Sequence, residues 1–168
     1  MWRKCMKKLV VVLLIAIVAV AMSWGATLGI TVNAAAKLEV SVNTAAWTID
    51  LTNDGTLIQN DAQGVLTVKS SKASYTVTFT SANSGTLNYS TYTMPYYIKV
   101  DTSGWSAGVA TNNLSSYTQL TAGKTIVFQL KTPTAGQTFN IGFQVAAYTD
   151  YYVDGAYTDT VTISIAQS

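Results

Sequence analysis

The chain has 168 residues, of which 49% are hydrophobic and only 11% are charged. It has no histidine, the usual general base of enzymes. Its one cysteine, Cys5, lies close to the N-terminus, so the chain after residue 5 also lacks a thiol nucleophile. Residues 26–168 carry six lysines against seven aspartates and one glutamate, a net charge of −2 that gives no indication of nucleic-acid binding.

The first predicted element is a helical export signal over residues 1–25. Residues 1–8 contain four basic side chains, and residues 9–22 contain neither a charge nor a proline. This order is typical of a secretory leader, and the apolar run is shorter than the roughly 20 residues of a membrane span. We favour cleavage after Gly25, with Ala34 and Ala36 as alternative sites. Retention of the segment as a membrane anchor is the competing interpretation. The expected location is the cell surface or the extracellular space.

An N-terminal extension over residues 26–36 is predicted next. Apolar residues occupy every second position from Leu28 to Val42, an alternation typical of a half-buried strand. Fifteen residues is long for one strand, since strands usually have about five or six. We therefore expect the second half to belong to its own domain and the first half to reach a neighbouring molecule. The alternative is one long first strand in a self-sufficient domain.

Residues 37–168 are predicted to form one all-β domain. The alternation changes phase near residues 43–46 and continues at Trp47, Ile49 and Leu51, as expected of a bulge or of a strand that changes sheets. Further short alternating runs follow, among them Tyr75, Val77 and Phe79, then Phe139, Ile141, Phe143 and Val145, and last Val161, Ile163 and Ile165. Turn sequences such as Asn53-Asp54-Gly55 separate the runs. Seven or eight strands at this spacing indicate an antiparallel Ig-like β-sandwich, with a closed barrel as the alternative fold.

Three stretches resemble the spore coat protein U and chaperone–usher fimbrial subunit group. The last strand, Gly155 to Ile165, resembles that group's final Gly-x-Tyr-x-Asp-Thr-Val strand, and Thr86-Leu87-Asn88-Tyr89 resembles a phrase from the middle of its domains. Leu28 to Val42 is similar to the group's N-terminal donor strand running into the first domain strand. The resemblance implies a structural subunit that forms homopolymers, in a pilus, a surface coat or another filament built by donor-strand exchange.

On this hypothesis the donor side chains are Leu28, Ile30, Val32 and Ala34. The arm Thr27 to Ala35 of one copy would fill the groove of the next by adding a strand to its sheet edge. The implied role is structural, without a catalytic residue or cofactor. A small hydrolase is disfavoured because Asp50, Asp54, Asp61 and Asp101 lie in apparent turns, where aspartate is common.

The alternative function is binding of a surface polysaccharide through exposed aromatic residues. All ten tyrosines follow the leader, and Tyr96-Tyr97 and Tyr151-Tyr152 are adjacent pairs in which one member should face the core and the other should face outward. Together with Trp105 these four tyrosines are the candidate contact surface. Subunit interfaces and ordinary strands favour the same residues.

Two further motifs are weaker. Asp150, Asp154 and Asp159 could offer oxygen ligands to calcium, but their spacing matches no defined calcium loop, so no metal site is expected. Asn88 and Asn113 fit the N-glycosylation sequon, a match close to chance in a chain rich in asparagine and serine.

Overall fold

A computed structural model describes residues 30–168 of the chain. The predicted signal helix and Leu28 lie outside the described residues. Ala35–Ser168 forms one compact unit. Within it lie a short 3₁₀ helix at Ser103–Gly108 and ten strands: β1 Leu38–Val42, β2 Ile58–Ser70, β3 Tyr75–Ser81, β4 Thr86–Tyr89, β5 Tyr92–Pro95, β6 Tyr97–Asp101, β7 Val109–Asn112, β8 Lys124–Phe128, β9 Gln137–Val145 and β10 Val161–Gln167.

The strands form two four-stranded sheets and one hairpin. The first sheet has the order β1-β2-β9-β6, the second has the order β10-β3-β8-β7, and β4 pairs with β5. Every pairing is antiparallel. The prediction of an all-β antiparallel fold is confirmed.

The core lies between the two sheets and is built by period-two alternation. Tyr75, Val77 and Phe79 of β3 are buried, and the threonines between them are partly exposed. Phe128 of the second sheet stacks on Phe139 of the first sheet with 5.5 Å between ring centroids. The inward residues of both sheets therefore belong to one hydrophobic cluster.

The first strand is shorter than predicted. It begins at Leu38, and residues 30–37 belong to no strand even though their alternation is unbroken. The reason is the lack of a partner: Ser71 donates its amide proton to the Lys37 carbonyl, and β2 has already ended at Ser70, where the chain turns towards β3.

The strand count also differs from the prediction of seven or eight. Ten strands are present in the described residues because β4, β5 and β7, four residues each, form in segments rich in turn residues. Conversely, the alternating residues 47–51 lie in no strand. Side-chain periodicity therefore predicted which residues face inward more reliably than it predicted which residues pair in a sheet.

Tyr75 gives a first testable prediction. Its hydroxyl group is buried and makes no hydrogen bond among the described residues, and burial raises its pKa to about 12. A raised pKa in the folded state means that the unfolded chain releases this proton first, so stability is lost as the pH rises above about 10.

Tyr75→Phe is expected to raise the free energy of unfolding at pH 7 by about 1 kcal/mol, because an unsatisfied buried hydroxyl is removed. It should also reduce the loss of stability between pH 10 and 12. Urea unfolding at both pH values measures these effects. Parallel stability–pH curves for the variant and the parent would contradict the assignment.

Candidate functional site

The candidate site is the seam between the two sheets, where β1 and β10 are the outer strands. Among residues 30–168, each of these strands pairs with one neighbour, β1 with β2 and β10 with β3. They lie close together on the same side of the domain, and residues of both strands line one cavity of about 140 Å³. The residues that line it are Val40, Ser41, Val42, Val161 and Ile163.

The opposite side of the domain is closed by the segment that follows β7. The amide and carbonyl of Ile98 bond the carbonyl and amide of Thr118, each at 3.0 Å, and Val100 donates its amide proton to the carbonyl of Leu114 at 2.8 Å. Leu114 and Leu120, in this segment, are fully buried. The two sides of the core therefore differ in the part of the chain that the structure describes: one is covered by the segment after β7, and the other ends in two strands that are each paired along one edge.

The apolar side chains at the seam are only half-buried. Leu38, Val40 and Val42 of β1 stand opposite Ser70, Val68 and Leu66 of β2, all three of which are buried. In the same way, Ile163 and Ile165 of β10 stand opposite Phe79 and Val77 of β3, which are buried. The inward faces of both outer strands therefore belong to the core yet retain solvent contact along the seam.

Along the seam, the backbone of these same residues has no partner within the described part of the chain. Asn43 donates its amide proton to the carbonyl of Val65, so the odd-numbered residues of β1 bond β2, and Leu38, Val40 and Val42 direct their backbone groups outward. Ala82 donates to the carbonyl of Thr160, so in β10 the odd-numbered residues are the ones with free backbone groups. Unpaired edges of this kind favour the addition of a strand.

The two edges run in opposite directions. β1 is antiparallel to β2, and β10 is antiparallel to β3. Four residues, 71–74, connect β2 to β3 across the two sheets and reverse the chain between them. A strand placed in the seam would therefore be antiparallel to one edge and parallel to the other, whichever way it entered.

The predicted donor residues within the described range are exposed. Ile30 is 78% exposed and Val32 is 84% exposed, and Ala34 is also exposed. Exposed apolar side chains at alternating positions of one short segment are uncommon in a monomeric protein, and contiguous exposed apolar surface often marks an interaction site.

The predicted aromatic surface is not one continuous platform. Tyr96 is only 2% exposed and stacks on Phe143, so it is a core residue. Trp105 is half-buried against the rings of Phe128 and Phe139. Tyr97 and Tyr152 are half-buried, and Tyr151 is 81% exposed. Each adjacent pair thus has one less exposed and one more exposed member, as alternation predicts, but only Tyr151 offers most of its ring to solvent.

The three acidic metal candidates have different surroundings. Asp150 and Asp154 are exposed, whereas Asp159 is half-buried and bonded to protein donors. Among residues 30–168, no group of three or more acidic, histidine or cysteine side chains is arranged to hold a metal ion. In the same residues, no helix has the length and hydrophobicity needed to span a membrane.

Asp159, two residues before β10, instead joins that end of the seam to the core. Its Oδ2 atom accepts hydrogen bonds from Tyr96 Oη at 2.6 Å and Ser81 Oγ at 2.5 Å, and its Oδ1 atom accepts one from the Asn83 amide at 3.0 Å. Burial, followed by the bond to Asp159, raises the pKa of Tyr96. This network, which fixes the strand leading into β10, was not predicted, because its partners lie 63 to 78 residues away in sequence.

β10 was likewise not predicted to lie beside β1. Its alternation was recognised, but nothing in the sequence places Val161, Ile163 and Ile165 beside β1. The available signal is that both the first and the last strand of the domain alternate cleanly. Comparisons with known proteins do not add to this signal, since no family model matches the chain and no curated protein is significantly similar to it.

Proposed function

We propose that this protein is the structural subunit of an extracellular filament or surface coat, assembled by donor-strand exchange. The domain would be an Ig-like β-sandwich that lacks one strand, and residues 27–35 of one copy would supply that strand to the next. The observation that carries the proposal is the seam, where two outer strands combine half-buried apolar side chains with unpaired backbone.

The arm and the seam are complementary in two respects. The arm offers Leu28, Ile30 and Val32 on one face, which matches the apolar faces of β1 and β10. Burial of these three side chains contributes roughly 1.5–3 kcal/mol each. Residues 30–35 of the arm also belong to no strand, so their backbone could pair with the edges that have no partner among the described residues, and each added hydrogen bond would contribute about 0.5–1.5 kcal/mol.

This contact would be head-to-tail, since the arm and the seam are different surfaces. A heterologous contact that does not close into a ring produces a fibre. Strand addition of this kind is a known way of binding extended peptides to a sheet edge. The basic and apolar leader supports an export route for such a subunit.

A charge on the inward face of the arm tests the proposal. Ile30→Asp should abolish polymerisation, because it would bury an unpaired carboxylate in the seam. It should leave the domain folded, because Ile30 is 78% exposed. The matched control is Thr31→Asp, which adds the same charge on the opposite face of the arm and should still polymerise. Negative-stain imaging and size-exclusion chromatography of the exported protein measure assembly, and circular dichroism measures folding.

Two results would contradict the proposal. Filaments of Ile30→Asp with the yield of the parent would show that the arm is not buried. Equal loss of assembly in Thr31→Asp would show that charge alone, and not the apolar face, controls association. The intact mass of the exported protein provides the necessary control, since a product that begins at Lys37 would have lost the arm.

A further inference from the structure

Within residues 30–168, the edge without a partner on the β10 side extends beyond the strand itself. Thr158 and Asn88 exchange two backbone hydrogen bonds, of 3.0 and 2.9 Å, and Ala82 donates its amide proton to the carbonyl of Thr160. The bonded residues before β10, Thr158 and Thr160, are therefore even-numbered, like those within the strand. The odd-numbered residues before β10, Tyr157 and Asp159, therefore direct their backbone groups towards the seam as well. Alternate half-burial also continues through them, from Tyr157 to Ile165.

The inward positions along this edge differ in character from one end to the other. Ile165, Ile163 and Val161 are apolar, and Val161 and Ile163 line the cavity. Asp159, the next inward position, is already engaged by Tyr96, Ser81 and Asn83. The carboxylate cannot move aside without breaking these bonds, so this inward position is already occupied, whereas the cavity lies beside Val161 and Ile163.

The apolar face of the arm also changes along its length, from large side chains to a small one. Its inward residues are Leu28, Ile30, Val32 and Ala34, three large side chains followed by one methyl group. The large residues match the apolar positions, and Ala34 matches Asp159, only if the arm runs antiparallel to β10. In the opposite direction Leu28 would meet Asp159, and Ala34 would lie beside Ile165, at the end of the edge away from Asp159.

We propose that Asp159 sets the direction and register of the incoming arm, with Leu28 of one copy beside Ile165 of the next, Ile30 beside Ile163, Val32 beside Val161 and Ala34 beside Asp159. This inference rests on the proposed function, because it assumes that the arm of a second copy occupies the seam. It adds the register, which makes Asp159 and Ala34 a specificity-determining pair. The arm then runs parallel to β1, so that Ile30 and Val32 enter the cavity beside Val40 and Val42.

The first experiment enlarges the residue opposite Asp159. Ala34→Leu is expected to raise the critical concentration for polymerisation at least about tenfold, because overpacking a filled position is unfavourable. Ala35→Leu, which adds the same side chain on the outward face, should polymerise like the parent. In the reverse direction Ala34 would lie beside Ile165, away from the Asp159 network, and Ala34→Leu would strengthen assembly by adding apolar contact. An unchanged or lowered critical concentration for Ala34→Leu overturns the register.

The second experiment locates the ends of the arm by disulfide formation between two copies. Both proteins carry Cys5→Ser, and each carries one new cysteine. Two cysteines can be bridged when their Cα atoms lie within about 7 Å. A mixture of the Leu28→Cys and Ile165→Cys proteins should form a dimer with a disulfide between these two cysteines under mild oxidation. Ala34→Cys mixed with Ile165→Cys should not.

The outcomes separate this inference from the proposed function. Suppose that filaments still form and that Ile30→Asp still abolishes them. A disulfide only in the second mixture, in both mixtures or in neither mixture then overturns the register and leaves donor-strand assembly intact. If the parent forms no filaments and neither mixture forms a disulfide, the proposed function fails together with the register.

Discussion

Addition of a synthetic peptide with the sequence of residues 27–35 is expected to raise the unfolding temperature of the Ile30→Asp variant by roughly 8 °C. The variant keeps an intact seam, and a peptide that fills it binds only the folded state. At a hundred times its dissociation constant such a ligand stabilises by about 2.7 kcal/mol, and a domain of this size gains about 3 °C per kcal/mol. Thermal unfolding followed by circular dichroism at rising peptide concentration measures the shift.

The same peptide with aspartate at the position of Ile30 is the matched control for this experiment. It should cause no shift, because the unpaired carboxylate would have to enter the apolar seam. If neither peptide changes the unfolding temperature, the seam is not an acceptor for the arm. Equal shifts with both peptides would indicate non-specific binding.

Asp159→Ala is expected to lower the free energy of unfolding by about 3 kcal/mol, the largest effect among the single substitutions considered. It removes three hydrogen bonds to a carboxylate and leaves the buried hydroxyl of Tyr96 without its acceptor, and an unsatisfied buried group costs about 1–3 kcal/mol. Asp154→Ala, at an exposed position, is the control and should change stability by less than about 0.5 kcal/mol. Urea unfolding compares the two variants.

A double-mutant cycle with Tyr96→Phe separates the network from a general effect of the substitution. The two changes should be non-additive by about 1 kcal/mol or more, since Tyr96 and Asp159 share a direct hydrogen bond of 2.6 Å. Additive effects, or a cost for Asp159→Ala no larger than for Asp154→Ala, would contradict the role of Asp159 as the link between the seam and the core.

Side-chain alternation was sufficient to predict the inward faces of the main strands. Tyr75, Val77 and Phe79 were recognised as one strand and are buried, and the same holds for the inward residues of β9. Alternation could not give strand ends, because these depend on a pairing partner. The predicted first strand therefore shortens to Leu38–Val42, where β2 provides the partner.

β2 shows the opposite error. It is 13 residues long, but its first part is polar and exposed, and a register shift separates Asn60 from Gly64. Only the apolar residues after Gly64 were visible to a search for periodicity. Polar strand segments are held by backbone hydrogen bonds to a neighbour, and that neighbour, β9, lies far along the chain.

Of the candidate site, the arm could be predicted from the sequence but the seam could not, because only the arm is a local pattern. The arm is a local pattern, so Leu28, Ile30, Val32 and Ala34 could be named from the sequence. The seam is formed by strands from the two ends of the domain, and Asp159 at one end of it is held by partners from two other segments. No local pattern encodes such a meeting of distant residues.

A cryo-electron microscopy reconstruction of the assembled protein, at a resolution that separates strands, tests the central claim most directly. We predict one additional strand between β1 and β10 of each subunit, continuous with Lys37 and β1 of a neighbouring subunit, with the side chain of Ile30 between Val40 and Ile163. A seam that is bare in the assembly, or filled by the subunit's own chain while copies touch elsewhere, would contradict the account.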